Sequence, residues 1–316
     1  MSDLDTIFED NLPAGHRSGV IAVVGRPNVG KSTLINRILG QKIAIVTPKP
    51  QTTRKQQLGI YTAARGQILF TDTPGLHKPQ TKLGEYMVHV AETALKDADV
   101  VLWVLDVSEE PQISDKYIAE TVKTLRGDTP VVLALNKADA LPAAERDTRI
   151  AQHKALIDFD SVWLVSALNG EGVAELVTYL LEKMPEGPRY YPADQLSEVN
   201  MRFIAAEVVR EKIILHTEQE IPHSVAVEVV EYKEREQGKP FISLVIYVER
   251  DSQKGIIIGK QGALLKQIGI EAREELGAML DSDVYLELHV TVQKNWRSDE
   301  QFMRRLGYRV PREDKE

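Results

Sequence analysis

Between Gly19 and about Lys183, short apolar runs rich in β-branched residues alternate with stretches of helical period. Val20–Val24, Ile43–Val46, Gln57–Tyr61, Ile68–Thr71, Val100–Asp106, Val131–Leu135 and Ser161–Val165 read as strands. Lys31–Leu39, Lys82–Lys96, Ser114–Leu125, Pro142–Ile157 and Val173–Lys183 read as helices. This alternation predicts an α/β domain: a mostly parallel sheet with helices on both faces. Ligands of such sheets sit beyond the carboxyl ends of the strands. The Pro- and Gly-rich run Met184–Asp194 lacks period and reads as a linker, extending to about residue 198. Beyond it the pattern changes. Val199–Gln219 is helical, and Ser224–Arg235 and Phe241–Arg250 alternate like strands. A glycine loop follows, then a helix from about Gly262 to Leu276 and a last alternating run, Val284–Lys294. Helix, strand, strand, helix, strand predicts a second, small α+β domain. The expected division is an N-terminal extension (1–18), an α/β domain (19–183), a linker (184–198) and an α+β domain with a basic tail (199–316).

Composition narrows the setting. A chain of 316 residues has room for two domains. The absence of cysteine excludes disulfides and thiolate metal sites. The acidic start Met1-Ser2-Asp3-Leu4-Asp5 lacks the basic and apolar regions of a signal peptide, and runs such as Val100–Leu105 are far too short to span a bilayer. A cytoplasmic location is expected. The net charge of −8 argues against a generic nucleic-acid coat but not against a local basic surface.

The chemistry is concentrated after the strands. Gly25-Arg26-Pro27-Asn28-Val29-Gly30-Lys31-Ser32, followed by Thr33, matches the phosphate-binding pattern G-x-x-x-x-G-K-[ST] between a strand and a helix. Its backbone N–H groups and the helix N-terminus would face a phosphate chain. Lys31 would reach the β and γ phosphates, and the Ser32 hydroxyl would ligate Mg²⁺. Asp72-Thr73-Pro74-Gly75 is a D-x-x-G arrangement; the Asp would hold Mg²⁺ through water, and the Gly75 N–H would sense the γ phosphate. The polar run Thr47–Lys55 lies between these motifs. Within it Thr53 is the expected closing ligand of Mg²⁺, with Thr52 lining the site. Asn136-Lys137-Ala138-Asp139 carries base choice. A carboxylate accepts from both N1–H and the exocyclic N2 of guanine, whereas adenine offers no such pair of donors. Asn136 would contact the base and brace loops, Lys137 would cover the ring, and Ser166-Ala167-Leu168 would offer an N–H near Ala167 to O6.

These residues, with Gln51-Thr52-Thr53-Arg54, resemble the translation-factor-like GTPases of the Era/MnmE/Der group. The resemblance covers the whole first domain and implies GTP binding and hydrolysis to GDP with Mg²⁺. Lys31, Thr53, Gly75 and Asn28 are the candidates for the hydrolytic step. Ras-type enzymes place a Gln directly after D-x-x-G, but here that residue is Leu76, which cannot orient water. In some relatives an Asn in the place of Asn28 helps bind K⁺ beside the phosphates; the alternative is that Asn28 only stabilises the loop.

In the second domain, Gly255-Ile256-Ile257-Ile258-Gly259-Lys260-Gln261-Gly262 contains G-x-x-G. In KH domains this loop joins two helical elements and clamps about four nucleotides of backbone. Gly255, Ile258, Gly259, Lys260, Gln261 and Gly262 are therefore the candidate RNA-binding residues. Ser298-Asp299-Glu300-Gln301 opens a short helix ending near Gly307, among Lys294, Arg297, Arg304, Arg305, Arg309 and Arg312. The element order is similar to a type II KH domain, and its place after a GTPase domain is the arrangement of the Era family. That resemblance implies binding to the 3′ end region of 16S ribosomal RNA, a role in assembly of the 30S subunit, coupling between nucleotide state and RNA, and peripheral association with the inner membrane. A monomer is expected. The competing readings are a signalling GTPase whose second domain binds a protein, and an RNA scaffold holding nucleotide only structurally.

Overall fold

The computed structural model describes residues 12–47, 49, 52–76, 79, 81–197, 200–234 and 238–308. They pack as two units. Among the described residues, the first contains 12–44, 53–76 and 87–197; the second contains 45–47, 49, 52, 79, 81–86, 200–234 and 238–308.

The first unit is built from β1 (Arg17–Val24), α1 (Lys31–Leu39), β2 (Gln57–Ala63), β3 (Gly66–Asp72), α2 (Lys82–Lys96, whose first turns belong to the second unit), β4 (Val100–Asp106), α3 (Ile113–Leu125), β5 (Val131–Asn136), α4 (Arg146–Lys154), β6 (Ser161–Leu164) and α5 (Val173–Lys183). The sheet order is β2-β3-β1-β4-β5-β6. Only the β2–β3 pair is antiparallel. β3 and β4 are buried along their whole length, as strands covered on both faces must be. One apolar cluster joins Ile21, Phe70, Leu102 and Val104 to Leu34, Ile35 and Leu176; the other joins Ala22, Trp103, Leu105 and Leu133 to Leu95 and Ile118. The α/β reading is correct.

Four expectations change. Ile43–Val46 is not a strand. The side-chain Oδ1 of Asn36 accepts from the Ile43 and Ala44 N–H groups, so side-chain bonds replace a sheet partner. Pro142–Ile157 is helical only from Arg146 to Lys154, after a single 3₁₀ turn at Ala143–Glu145. The N-terminal extension ends before residue 18, since β1 begins at Arg17; residues 1–11 lie outside the described set. The described linker residues are a strap along the first unit. The Ser18 N–H donates to the Pro185 carbonyl at 2.9 Å and the Ile60 N–H to that of Leu196 at 2.8 Å. Buried Gln67 accepts from the Tyr190 and Tyr191 N–H groups and donates to the Tyr191 carbonyl. A Pro-rich segment without period can hold its place in this way, because its backbone groups find partners outside itself.

The second unit contains α6 (Met201–His216), α7 (Ile221–Ser224), β7 (Ala226–Lys233), β8 (Phe241–Val248), α8 (Asp251–Ile258), α9 (Ala263–Leu280), β9 (Tyr285–Val292) and α10 (Glu300–Arg305). Its sheet is β7-β8-β9, antiparallel then parallel. Ile242, Leu244, Ile246 and Val248 meet Val208, Val209 and Ile213 of α6 and Ile268, Ala272 and Leu276 of α9. The run Gly255–Ile258 is the last turn of α8, with Ile257 fully buried in this core and Ile256 exposed. Helix thus runs up to Ile258, where the sequence pattern reads as a glycine loop. The fully buried Trp296 donates its indole N–H to the Ser224 carbonyl at 2.7 Å.

Candidate functional site

The phosphate loop runs from the end of β1 into α1 and holds Asn28 at φ +66° and Gly30 at φ +97°. A Cβ on Gly30 would lie 2.3 Å from Asn136 Nδ2, and one on Gly25 would lie 2.4 Å from the Val104 carbonyl oxygen. Glycine is thus required by both φ and space at Gly30. Val29 is fully buried and fastens the loop to the core, while Thr33 lies on α1 directly after Ser32. Lys31 is 6 % exposed, and its Nζ donates to the Gly25 and Arg26 carbonyls at 3.0 Å each. Burial pulls its pKa down to about 8, against the opposing pull of Asp72.

Three oxygens converge at the start of α1. Ser32 Oγ donates to Asp72 Oδ2 at 2.6 Å and lies 3.0 Å from Thr53 Oγ1. Thr53 Oγ1 lies 3.4 Å from the same carboxylate oxygen. Asp72 is fully buried, its Oδ1 has no hydrogen-bond partner, and burial raises its pKa. A hard oxygen set with one orphaned carboxylate oxygen fits Mg²⁺. The Thr73 hydroxyl ties the following turn to the Val23 carbonyl at 2.7 Å. A Cβ on Gly75 would lie 2.8 Å from Pro27 N, so this turn, with Pro74 inside it, reaches the phosphate loop. The Leu76 side chain is fully buried in the apolar core. Like Val29, it is a predicted nucleotide-lining residue whose side chain the fold turns into the core.

The base motif lies at the ends of β5 and β6. Asn136 is 2 % exposed; its Nδ2 donates to the Val29 carbonyl at 2.8 Å, and its Oδ1 accepts from the Ala167 N–H at 2.9 Å. Bracing two loops is the role this geometry carries. The Ala167 N–H, in the segment expected to face guanine O6, donates to Asn136 Oδ1. Asp139 is exposed, and its Oδ1 accepts from the Ser166 hydroxyl at 2.5 Å. The Ala138 N–H donates to the Val165 carbonyl. Lys137, at φ +64°, reaches Asp106 Oδ2 at 2.5 Å. The sequence reading missed Arg37. From the last turn of α1 it donates to the Ala167 carbonyl at 3.1 Å and to that of Leu168. A separation of 130 residues leaves no local signal for that contact.

In the second unit, Gly259-Lys260-Gln261-Gly262 is a tight turn between α8 and α9. Gly259, Gln261 and Gly262 have φ of +72°, +53° and +80°. Lys260 and Gln261 are exposed, and Gly255 lies on the exposed side of α8. A Cβ on Gly259 would lie 2.8 Å from Leu264 Cβ. The turn thus presents backbone, one ammonium and the start of α9 to a ligand. Part of the basic tail is already paired: Arg305 with Glu228 and Tyr247, and Arg297 with Glu249. Arg309 and Arg312 lie outside the described residues.

This unit packs two segments from between the α/β elements. The Val46 N–H donates to Glu211 Oε1 at 2.8 Å. Lys49 Nζ donates to the Ile214 and Thr217 carbonyls at the end of α6. The buried Arg210 guanidinium, paired with Glu207, donates to the Thr52 carbonyl. Tyr86 packs edge-on against Tyr308, with ring centroids 5.4 Å apart.

A phosphate loop, a hard-oxygen cation cluster and an N-K-x-D motif on one sheet edge define a P-loop GTPase. Its C-terminal unit has the order of a KH domain. Two family models match accordingly: 50S ribosome-binding GTPase over residues 20–137 and KH domain over residues 220–297. GTPase Era of Carboxydothermus hydrogenoformans is 46 % identical over 294 residues, spanning 93 % of this chain and 98 % of its own. The crystal structure of Aquifex aeolicus Era Y63A bound to GDP·AlF4⁻ has a TM-score of 0.88 at 39 % identity, covering 93 % of this chain and 100 % of that one. A crystal structure of Era in complex with MgGDPNP and nucleotides 1506–1542 of 16S ribosomal RNA has a TM-score of 0.88 at 38 % identity, with the same coverage. The chain belongs to the Era family of GTPases.

Proposed function

We propose that this GTPase is a nucleotide-controlled switch on the 3′ end region of 16S ribosomal RNA, acting in assembly of the 30S subunit. The observation that carries the RNA half is the exposed Gly259–Gly262 turn at the head of α9, with three residues at positive φ around Lys260. The relative solved with 16S nucleotides 1506–1542 supports it. In the nucleotide half, Gly25–Thr33 cradles phosphates, Thr73–Gly75 approaches the γ phosphate, and Asn136–Asp139 with Ser166–Leu168 holds guanine. Ser32 and Thr53 ligate Mg²⁺, and Asp72 holds it through water; the bound ion offsets charge on the β and γ phosphates. Lys31 supplies further positive charge. Leu76 orients no water, so charge stabilisation comes from elsewhere; K⁺ beside Asn28 is the proposed source, and equal turnover in Na⁺ and K⁺ buffers would reject it.

We infer that residues 45–52 and 79–86 carry the coupling. They border Thr53 and the D-x-x-G turn in sequence, and Val46 and Thr52 bond to α6 while Tyr86 packs on Tyr308. A change in Mg²⁺ and γ-phosphate contacts would then alter what α6 holds. No helix among the described residues is long and apolar enough to cross a membrane, and peripheral association with the inner membrane stays part of the proposal. The working unit proposed is a monomer in the cytoplasm. The test is Lys260→Asp with Gln261→Asp: RNA binding should collapse while GTP turnover persists. Unchanged RNA binding would move the interface off this turn.

A further inference from the structure

Three carboxylates of the β4–α3 segment, Asp106, Glu109 and Asp115, meet cations of the nucleotide motifs and are claimed by none of those motifs. Asp106 ends β4, opposite Asn136 in the β4–β5 register, and is 5 % exposed. Its Oδ1 accepts from the Ser108 N–H at 3.1 Å and the Ser108 hydroxyl at 2.5 Å. That leaves Oδ2 for Lys137, at 2.5 Å. From the phosphate loop, Arg26 approaches the same group: its guanidinium lies 3.9 Å from Asp106 Oδ2 and 3.4 Å from Asp115 Oδ2, and it pairs with Glu109. Asp115 is 1 % exposed and held at the start of α3 by the Gln112 N–H. A cation of the phosphate loop and the cation that covers the base are therefore tied to one rigid acidic edge.

We propose that Asp106 is the positioning residue of the nucleotide site. It fixes the Lys137 ammonium so that the lysine stem lies where the guanine ring is to be covered. It also sets the distance between the phosphate loop and the N-K-x-D turn. It touches no reacting atom, so it governs affinity and not the chemical step. A long flexible side chain loses rotamer freedom when it settles on a base. Asp106 has already removed that freedom before the nucleotide arrives. The reasoning rests on the guanine-nucleotide reading of the site.

The test is a double-mutant cycle in the full chain, using Asp106→Asn, Lys137→Met and both together. The readouts are affinities for fluorescent GDP and a non-hydrolysable GTP analogue, and steady-state GTP turnover. Asp106→Asn is expected to weaken both nucleotides about tenfold and to raise KM with kcat within about twofold. In the Lys137→Met background the same change should cost less than about twofold. An undiminished loss in that background, unaltered affinity, or a fall in kcat at fixed KM would overturn the proposal. If Asp106→Asn does not fold, Asp106→Glu, which keeps the charge one methylene further out, takes its place in the cycle. A wild-type protein that bound no guanine nucleotide would fail the underlying reading instead, and the two failures are told apart by that control.

Discussion

Ser32 Oγ lies 2.6 Å from Asp72 Oδ2, which joins the phosphate loop to the end of β3 across the cation position. The other carboxylate oxygen is buried and accepts no hydrogen bond. Asp72→Asn keeps the shape but removes the charge that would hold a water-coordinated ion. Its expected effect is a loss of about 10–100-fold in Mg²⁺ affinity. The measurement is a Mg²⁺ titration of fluorescent GTP-analogue binding.

Lys31 gives the site a pH dependence with a definite sign. Burial holds its pKa at about 8 without ligand, below the ordinary lysine value of 10.5. Bound phosphates would raise it again, because an opposite charge favours the ammonium. Below about pH 8 the free protein is already protonated, and this group leaves affinity flat. Above that value binding must take up a proton, so affinity should fall by up to about tenfold per pH unit. Calorimetry of GDP binding in buffers of different ionisation enthalpy should show proton uptake appearing at alkaline pH, and its absence at pH 9 would contradict this account.

Asp139 is exposed in the middle of its 3₁₀ turn and held by the Ser166 hydroxyl. An Asn there presents a donor where guanine also presents donors. Asp139→Asn should lose GDP and gain xanthosine diphosphate, whose C2 carbonyl accepts. Competition binding of the two diphosphates checks the exchange; unchanged preference for GDP would remove Asp139 from base choice.

Trp296 is the main anchor of the tail. Its indole N–H satisfies the Ser224 carbonyl inside the core, and its ring stacks near Tyr308. Trp296→Phe should destabilise the KH unit by about 1–3 kcal/mol, the cost of an orphaned buried acceptor. Denaturant unfolding followed by tyrosine fluorescence measures it, with GDP affinity expected to stay constant.

The strands of the first unit were legible because parallel strands covered on both faces must be apolar throughout, as Val100–Leu105 is. The nucleotide motifs were legible because each sits at the carboxyl end of its strand. Ile43–Val46 misled for the opposite reason: an apolar β-branched run looks like a strand, but the Asn36 amide takes its backbone donors. The glycine loop read from Gly255 starts later, since glycine and three isoleucines are poor helix formers, yet Ile257 packs into the core as part of the last turn of α8. The strap at 184–197, the Arg37 brace and the Asp106–Lys137 pair are contacts between residues far apart in sequence. No local pattern encodes them.

The central claim is that nucleotide state controls RNA affinity. A labelled RNA from the 16S 3′ end should be titrated with GDP and with a non-hydrolysable GTP analogue, at two salt concentrations. The account predicts tighter binding with the analogue, weakening as salt rises and lost in the Lys260/Gln261 double-Asp variant. Equal affinity in both nucleotide states would contradict the switch, and no binding in either would point the second domain toward a protein partner.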